Sequence, residues 1–236
     1  MICKIADLII EVPVAGGMAS RCWNYRWDDA AEPDITIHEG LYKPSLYASS
    51  FTEADIAYME SARQFCYRLL DHDGLHLHAS AVCKDGKAYL FSADPGVGKS
   101  THARMWKSAF GDAVEIINDD KPALRRLNGQ WYAYGTPWCG KDGINMNRKV
   151  RLAGICFLKQ APYDRIVQLN QTEALPLILA QTFHRLRSAE KMDLLISHVE
   201  HLVKEIPIFM LENRPEEAAA FLSHEVMEQR AREYSI

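Results

Sequence analysis

Hydrophobic and polar positions in the middle of the chain predict two strands, a tight loop and a helix. Residues 75–82 alternate between apolar and polar side chains and lead to Asp85-Gly86, a dipeptide typical of a hairpin turn. Residues 88–91 are apolar throughout, and residues 99–110 have the spacing of an amphipathic helix. Because strand, loop and helix follow one another directly, this segment predicts an α/β fold.

The same periodicities predict the elements on either side of this segment. Thr52 caps a helix that runs to about Leu70. Asn128-Gly129 predicts a second hairpin turn, and Pro207 places the last strand at a sheet edge. The other predicted strands cover residues 5–12, 23–27, 35–37, 113–120, 123–127, 131–134, 150–158 and 206–211. The other predicted helices cover residues 171–187, 189–204 and 215–232.

The composition limits the classes of partner. The chain has 236 residues, 48% of them hydrophobic, and a net charge of −4, so no overall field attracts nucleic acid or an anionic membrane. The six cysteines are scattered singly, which is typical of reduced thiols in a cytosol. No stretch reaches the roughly 20 apolar residues that cross a bilayer, and the first residues do not form a signal peptide. We therefore expect a cytoplasmic protein that binds neither nucleic acid nor membrane, and its homo-oligomeric state stays open.

The loop between strand and helix carries the first candidate chemistry. Residues 93–101 are Ala-Asp-Pro-Gly-Val-Gly-Lys-Ser-Thr, which fits the Walker A pattern in its form with alanine at the first position. The two glycines permit positive φ, so that successive backbone N–H groups form a nest for an anion. Lys99 then reaches the β- and γ-phosphates, and the Ser100 hydroxyl is a ligand for Mg²⁺. The alternative interpretation is a turn without a ligand. The residues expected to bind ATP are Asp94, Pro95, Gly96, Val97, Gly98, Lys99, Ser100 and Thr101.

Two adjacent carboxylates end the strand that follows this helix. Parallel strands of a phosphate-loop fold lie side by side, so Asp119 and Asp120 are expected at the same sheet edge as Lys99. One carboxylate is then placed to hold Mg²⁺, and the other takes the proton of an attacking hydroxyl. We expect Asp120 beside Ser100 at the metal, while the identity of the base stays open. The alternative is a solvated acidic turn.

Two histidines precede the loop. His76 and His78 are two residues apart on one predicted strand, so both side chains are expected on the same face of the sheet. For His76 we favour a hydrogen-bonded role on a polar face, whereas His78 fits that role and a place in the site equally. Residues 135–143, rich in glycine and polar side chains, form a loop that either closes over a site or only connects strands.

Together these features resemble the catalytic domain of the HPr kinase/phosphorylase family. They resemble more closely the smaller HPr-kinase-like proteins found beside peptide-modification gene sets. The resemblance covers roughly residues 75–158, and residues 172–211 are compatible with it. The residues that carry it are His78 before the loop, residues 93–101, and Asn118, Asp119 and Asp120.

The resemblance implies a P-loop kinase core of the HPr kinase/phosphoenolpyruvate carboxykinase type, with a mixed sheet and flanking helices. On this basis we expect a β-rich extension with a packing helix over residues 1–72 and a catalytic domain over residues 73–236. The implied activity is an ATP- and Mg²⁺-dependent kinase that acts on a serine-type hydroxyl. By position, the residues implied in catalysis are His78, Lys99, Asp119 and Asp120. The loop residues implied near the γ-phosphate or the phosphoryl acceptor are Thr136, Trp138 and Lys141.

Several alternatives stay open at this point. The glycine-rich substrate segment of the family is not recognisable, so a peptide or a small molecule fits as phosphoryl acceptor as well as a protein does. The chain also fits a nucleotide-binding regulatory or scaffold protein without catalysis, or a carboxykinase-like enzyme acting on a small organic acid. The choice between ATP and GTP and the direction of the reaction are not given. Arg185 and Arg187 either supply a cation to the transition state or lie on a solvated helix face.

Overall fold

A small sheet and two helices begin the fold. The computed structural model describes residues 1–14, 17–40, 50–182, 188–234 and 236. The first strands are β1 (Ile2–Ile5), β2 (Leu8–Glu11) and β3 (Ile35–Thr36), and the first helices are α1 (Met18–Arg21) and α2 (Glu53–Leu69). β1 is antiparallel to β2, and β2 is parallel to β3. These three strands form a sheet of their own, in the order β1-β2-β3.

A mixed sheet of nine strands, counted over the described residues, forms the centre of the molecule. Its strands are β4 (Gly74–His76), β5 (Ala79–Lys84), β6 (Lys87–Ser92), β7 (Val114–Asp120), β8 (Ala123–Leu127), β9 (Gln130–Tyr134), β10 (Lys149–Gln160), β11 (Arg165–Gln168) and β12 (Ile208–Asn213). The order is β4-β8-β9-β10-β6-β5-β7, and β12 pairs with both β10 and β11. β10 is parallel to β6 and β12, whereas β5 is antiparallel to β6 and β7. The carboxyl ends of β6 and β7 therefore lie at one sheet edge, with the amino end of β5 between them.

Helices cover both faces of this sheet because neighbouring strand residues point in opposite directions. They are α3 (Lys99–Phe110), α4 (Gln171–Ala180), α5 (Ala189–Glu205) and α6 (Glu217–Glu233). Phe91 of β6 packs with Trp106 of α3 and Met227 of α6, all fully buried. The preceding residue, Leu90, belongs to the core on the other face, with Val199 of α5. The central strands are thus buried on both sides, and the expected α/β class with a mixed sheet and flanking helices is confirmed.

The N-terminal elements pack against the mixed sheet through α2. A reciprocal capping box begins α2 as predicted: the Thr52 hydroxyl accepts from the Asp55 N–H at 3.2 Å, and the Asp55 carboxylate accepts from the Thr52 N–H at 2.9 Å. Phe65 of α2 stacks on Trp138, with ring centroids 4.5 Å apart. One hydrophobic cluster joins the first sheet, α2 and the β8–β9 hairpin. The expected domain boundary after residue 72 stays a prediction, and the hydrophobic core is continuous across it.

Two predictions about N-terminal strands are wrong. Residues 5–12 do not form one strand, because the chain reverses at Ala6 and Asp7, whose φ angles are 55° and 60°. Because no glycine stands at this turn, the sequence pattern predicts one continuous strand. Residues 23–27 contain a 3₁₀ turn over Trp23–Tyr25 instead of a strand. Within it Tyr25 is buried and Trp23 is exposed, and this alternation imitates the period of a strand.

Two strands in the mixed sheet also differ from prediction. Residues 75–82 form two strands, since β4 ends at His76 and pairs with β8, whereas β5 begins at Ala79 and pairs with β6 and β7. His76 and His78 therefore do not share a strand face. β12 lies between β10 and β11 and is not an edge strand. Pro207 precedes its first residue, where the missing N–H does not interrupt the pairing with β11.

The helix predicted over residues 171–187 ends earlier than expected. α4 ends at Ala180. Arg185 and Arg187 lie outside the described residues, so their role stays a prediction. Within the described part of the chain, no helix combines the length and the apolar character needed to cross a membrane.

The six cysteines are free and buried, as the prediction of unpaired thiols requires. Burial raises the pKa of the Cys66 thiol to about 12 and also raises the pKa of the Cys139 thiol. The thiols of Cys66 and Cys139 are therefore protonated at neutral pH.

His102 of α3 is a buried neutral histidine. It is 1% exposed, and its Nε2 atom lies 3.1 Å from the Ser223 hydroxyl, which donates its own proton to the carbonyl of Ala220 at 3.0 Å. The Trp106 N–H also donates to that hydroxyl, at 2.9 Å. Nε2 of His102 therefore carries the ring proton, and Nδ1 has no hydrogen-bond partner within the described residues.

Acid is expected to destabilise the fold through His102. Burial lowers the pKa of His102 from 6.5 to about 3, so below pH 6.5 the unfolded chain binds a proton that the folded chain does not. Stability then falls with pH from 6.5 towards 3, by about 2 kcal/mol at pH 5. His102→Leu is expected to flatten the dependence of the unfolding free energy on pH between 7 and 5, measured by urea denaturation. The exposed control His201→Leu keeps the slope of the wild type, and an equally steep slope in His102→Leu would contradict this assignment.

Candidate active site

The loop of residues 93–98 joins the end of β6 to the start of α3. Gly96 and Gly98 have φ angles of 84° and 126°, in a region that residues with side chains rarely adopt. The Val97 N–H donates to the Asp94 carbonyl at 3.3 Å and closes a turn. Gly98 caps α3 without a side-chain hydrogen bond, so the first N–H groups of the helix lie uncapped at the sheet edge. Uncapped N–H groups and positive φ glycines together favour an anion at this place.

Lys99 is held inside this loop. It is 9% exposed, and its ammonium group donates to the carbonyl oxygens of Ala93 at 2.9 Å and Asp94 at 3.4 Å. Burial lowers the pKa of Lys99, while the nearby carboxylates of Asp120 and Asp119 oppose that shift. Within the described part of the chain, the hydrogen bonds of this ammonium group go to neutral carbonyl oxygens, so the cation is available to a phosphate.

The other predicted loop residues lie beside Lys99. Ser100 and Thr101 form the first turn of α3, and Pro95 lies in the loop itself. The Val97 carbonyl accepts a hydrogen bond from the Gln160 side chain at 3.1 Å. This bond ties the loop to the end of β10.

Asp119 and Asp120 end β7 at the same sheet edge, although not in the way the sequence suggests. β6 and β7 are not neighbours, because β5 lies between them. Asp119 pairs across the ladder with Ser80, whose hydroxyl donates to it, and Asp120 pairs with Ala79. Cross-strand partners share a face. Asp119 therefore lies on the same face as Val82, a core residue that packs with α3. Asp120 points to the opposite face.

Asn118 fixes the backbone on which both carboxylates are carried. It is fully buried, and its amide donates to the Thr136 carbonyl at 2.9 Å. Its side-chain oxygen accepts from the N–H groups of Asp120 at 3.1 Å and Lys121 at 2.8 Å. The chain is thereby held in place directly after the two carboxylates.

The Asp120 carboxylate is contacted by three side chains, those of His78, Tyr58 and Lys121. Nε2 of His78 lies 3.5 Å from one carboxylate oxygen. The Tyr58 hydroxyl of α2 donates to the other oxygen at 3.4 Å, and Lys121 pairs with that same oxygen. The Tyr58 ring in turn contacts two cations, 4.6 Å from the guanidinium of Arg21 and 5.5 Å from the Lys121 ammonium.

Gln181 determines which nitrogen of His78 carries the proton. Its amide N–H donates to the Asp94 carboxylate at 2.9 Å, so its amide oxygen is the atom 3.1 Å from Nδ1 of His78. Nδ1 must donate to that oxygen, which leaves Nε2 as a bare acceptor towards Asp120. Burial lowers the pKa of His78, the charge of Lys99 lowers it further, and Asp120 opposes both. Neutral His78 and Asp120 thus present two acceptors to one hydroxyl donor.

Four residues of this arrangement were not predicted as site residues. They are Tyr58, Ser80, Lys121 and Gln181. Ser80 is the cross-strand partner of Asp119, so the pairing of β5 with β7 would have indicated it. Lys121 directly follows Asp120 in the sequence. Burial lowers the pKa of His76 to about 3, and its ring stays neutral at pH 7.

Thr136 and Trp138 support the site from within the core. Thr136 is fully buried and its hydroxyl donates to the Lys121 carbonyl at 2.7 Å. Trp138 is 1% exposed, and its indole N–H donates to the Ser61 hydroxyl at 3.0 Å. Both side chains are enclosed, so they position the loop and do not present a surface to a phosphate or a phosphoryl acceptor. Lys141 is exposed, and its role stays a prediction.

Gly140 is in close contact with the backbone of Asp119. A Cβ atom at Gly140 would lie 2.7 Å from the Asp119 carbonyl oxygen, closer than Cβ atoms approach backbone. Gly140→Ala is therefore expected to displace the Asp119 backbone and to destabilise the fold by about 1–3 kcal/mol, as overpacking does. Urea denaturation and a thermal melt measure the effect. Asp142→Ala, an exposed substitution in the same loop, is the matched control, and wild-type stability of Gly140→Ala would contradict the expectation.

The oxygen ligands at this edge suit Mg²⁺. No group of three or more histidine, cysteine, aspartate or glutamate side chains forms a metal cluster among the described residues. Mg²⁺ needs no such cluster, since it binds through one or two carboxylates together with substrate phosphates and water. The Ser100 hydroxyl at the start of α3 and the Asp119 carboxylate on the α3 face fit this requirement.

Comparison with known proteins gives one family match. The family model described as SynChlorMet cassette protein ScmC matches residues 47–215. No curated protein matches the chain. Among solved structures, the Hpr(Ser) kinase/phosphatase from Coxiella burnetii matches with 12% identity and a TM-score of 0.35, over 68% of this chain and 96% of that one. A similarity at that level is too low to support a functional conclusion.

Proposed function

The chain belongs to the family described as SynChlorMet cassette protein ScmC, and we propose that it is an ATP- and Mg²⁺-dependent kinase that phosphorylates a serine-type hydroxyl. The observation that supports this proposal is that Lys99 in its loop, His78 and Asp120 all lie at one edge of the sheet. An anion site and a proton acceptor at one edge are what phosphoryl transfer requires. A cassette family is also consistent with a peptide acceptor encoded by a neighbouring gene.

The phosphates are proposed to bind the loop of residues 93–98. Its backbone N–H groups and those of the first turn of α3 donate to phosphate oxygens, and Lys99 exchanges its loop carbonyls for the β- and γ-phosphates. This exchange needs little movement, because the ammonium group already lies inside the loop.

The metal ligands are proposed to be Ser100 and Asp119. Mg²⁺, when bound, neutralises charge on the β- and γ-phosphates. Asp119 faces the side of the sheet that carries α3 and Ser100, whereas Asp120 faces His78 and Tyr58. This division differs from the expectation that Asp120 holds the metal, and it leaves Asp120 for proton transfer.

Asp120 and His78 are proposed to receive the hydroxyl of the phosphoryl acceptor. The hydroxyl oxygen forms the new bond to the γ-phosphorus, the bond between that phosphorus and the β–γ bridging oxygen breaks, and ADP leaves. The hydroxyl proton passes to Asp120, and Nε2 of His78 accepts a hydrogen bond that orients the attacking group. Tyr58 and Lys121 steady the carboxylate during this transfer.

Mass spectrometry tests the proposal directly. The purified protein is incubated with Mg²⁺-ATP and serine-containing peptides, including any encoded beside its gene, and with hydroxylated small molecules. A gain of about 80 Da on one compound, absent with Lys99→Ala, is the expected result. Nucleotide binding without phosphorylation of any compound would instead favour a regulatory or scaffold protein, and would contradict the proposed kinase.

A further inference from the structure

A cavity of about 520 Å³ adjoins the loop of residues 93–98 on the side away from the carboxylates. Its volume is within the range of sites that hold small molecules, roughly 300–1,000 Å³. Its walls come from the loop, from α3 and from the ends of β10 and β12. The lining residues that matter here are Val97, Thr101, Met105, Leu158, Gln160 and Asn213.

The order of strands separates this cavity from the acidic pair. At the site edge the strands follow the order β12-β10-β6-β5-β7. The loop of residues 93–98 leaves β6, the cavity lies at the ends of β10 and β12, and Asp119 and Asp120 lie at the end of β7. A molecule that extends along the loop therefore has one end in the cavity and the other at the carboxylates.

We propose that this cavity holds the nucleoside part of a nucleoside triphosphate. The inference rests on the proposed function, which places the phosphates in the loop and the last phosphate near Asp120. Apolar side chains of Val97, Met105 and Leu158 supply contacts for the faces of a base, and the amides of Gln160 and Asn213 supply polar groups for its edge or for the ribose. Such a mixture of apolar walls and a few polar groups is typical of a small-molecule site.

His102 gives a second observation in the same wall. It lines the cavity, and its buried Nδ1 atom accepts no hydrogen bond within the described residues. Buried acceptors are normally satisfied. An N–H or O–H donor of the bound nucleoside satisfies this one after a small movement of the wall.

The occupant of the cavity also determines where the phosphoryl acceptor enters. With the nucleoside on the β10–β12 side, the acceptor approaches from the opposite end, over Asp120 and Tyr58. The cations Arg21 and Lys121 border that end.

Binding of ATP and of inorganic tripolyphosphate, each with Mg²⁺, separates the two parts of the site. Ala161 lines the cavity and lies outside the phosphate loop, so Ala161→Trp fills the cavity while every residue of the loop is unchanged. We expect Ala161→Trp to weaken ATP binding by about tenfold or more and to leave tripolyphosphate binding unchanged, by isothermal titration. The matched control is Val167→Trp, which adds the same side chain at an exposed position of β11. If Ala161→Trp does not fold, Asn213→Ala takes its place. It removes an amide from the cavity, and we expect it to weaken the binding of ATP and not that of tripolyphosphate.

Each failure has its own signature. Equal loss of ATP and tripolyphosphate binding in Ala161→Trp or Asn213→Ala, or equal affinity of the wild type for both ligands, would overturn the nucleoside site and leave the phosphate site intact. Binding of neither ligand to the wild type, or unchanged binding in Lys99→Ala, would overturn the proposed function itself.

Discussion

Replacement of Lys99 by methionine is expected to weaken ATP binding at least tenfold and to lower phosphoryl transfer by about 10²–10³-fold, the range seen when one preorganised donor is removed from a transition state. Lys99 is the cation inside the loop of residues 93–98, 2.9 Å from the Ala93 carbonyl. Methionine keeps most of the side-chain length but has no charge for the γ-phosphate. The loss should be larger in the rate of transfer than in binding, since negative charge on the transferred group matters most in the transition state.

Lys107→Met is the matched control for this experiment. Lys107 lies on the same helix, α3, where it forms an exposed ion pair with Asp112 at 3.3 Å, and such pairs contribute little. Titration calorimetry, turnover and thermal melts are measured on both variants. If folded Lys99→Met bound and turned over ATP like Lys107→Met, the phosphate site would not be at this loop.

The second large effect is expected at Asp120. Asp120→Asn should lower phosphoryl transfer by about 10²–10⁴-fold, the contribution of a general base, and leave ATP affinity within a few fold. The amide of asparagine cannot take a proton, and its N–H₂ group donates to Nε2 of His78, which lies 3.5 Å from the native carboxylate. The two acceptors proposed to receive the hydroxyl are thereby lost together.

Asp119→Asn distinguishes the two aspartates. We expect it to raise the Mg²⁺ concentration needed for half-maximal rate, because Asp119 lies on the face of α3 and Ser100. Asp112→Asn, at an exposed position, should behave as the wild type. The division of roles would be reversed if Asp120→Asn shifted the Mg²⁺ requirement and Asp119→Asn abolished transfer at every Mg²⁺ concentration.

Local sequence predicts the parts of the site that are built from one segment. The glycines at positions 96 and 98 predict the loop because their φ values of 84° and 126° are costly for other residues. The apolar run before Asp119 and Asp120 predicts a strand that ends at the site, and β7 does end at Asp120. Each of these features is encoded within about ten residues of chain.

Contacts between distant segments could not be predicted in this way. Tyr58 meets Asp120 from 62 positions away along the chain, and Gln181 meets His78 from 103 positions away. Tyr58 reads as one more position of an amphipathic helix, and Gln181 as a polar residue near a helix end. The insertion of β5 between β6 and β7 is also a property of the whole sheet, set by the hairpin at Asp85 and by pairing with β7.

Burial explains why Trp138 was placed with the substrate loop. The family resemblance alone implied that position, and in the structure the indole stacks on Phe65 of α2 with ring centroids 4.5 Å apart. A sequence without its tertiary partner gives no sign of that contact. The division of the chain at residue 72 stays a prediction, and the hydrophobic cluster around α2 includes residues from both sides of it.

All six thiols are buried, so the rate at which an alkylating reagent labels each of them reports local opening of the fold. Cys139 lies next to Gly140, which touches the Asp119 backbone, whereas Cys156 lies in the centre of β10. A maleimide or iodoacetamide can label either residue only while its surroundings are open, so the labelling rates report the opening free energies of the two regions. The ratio of the two rates therefore compares the opening of the carboxylate-bearing edge with that of the sheet that carries it, and no cysteine has to be introduced.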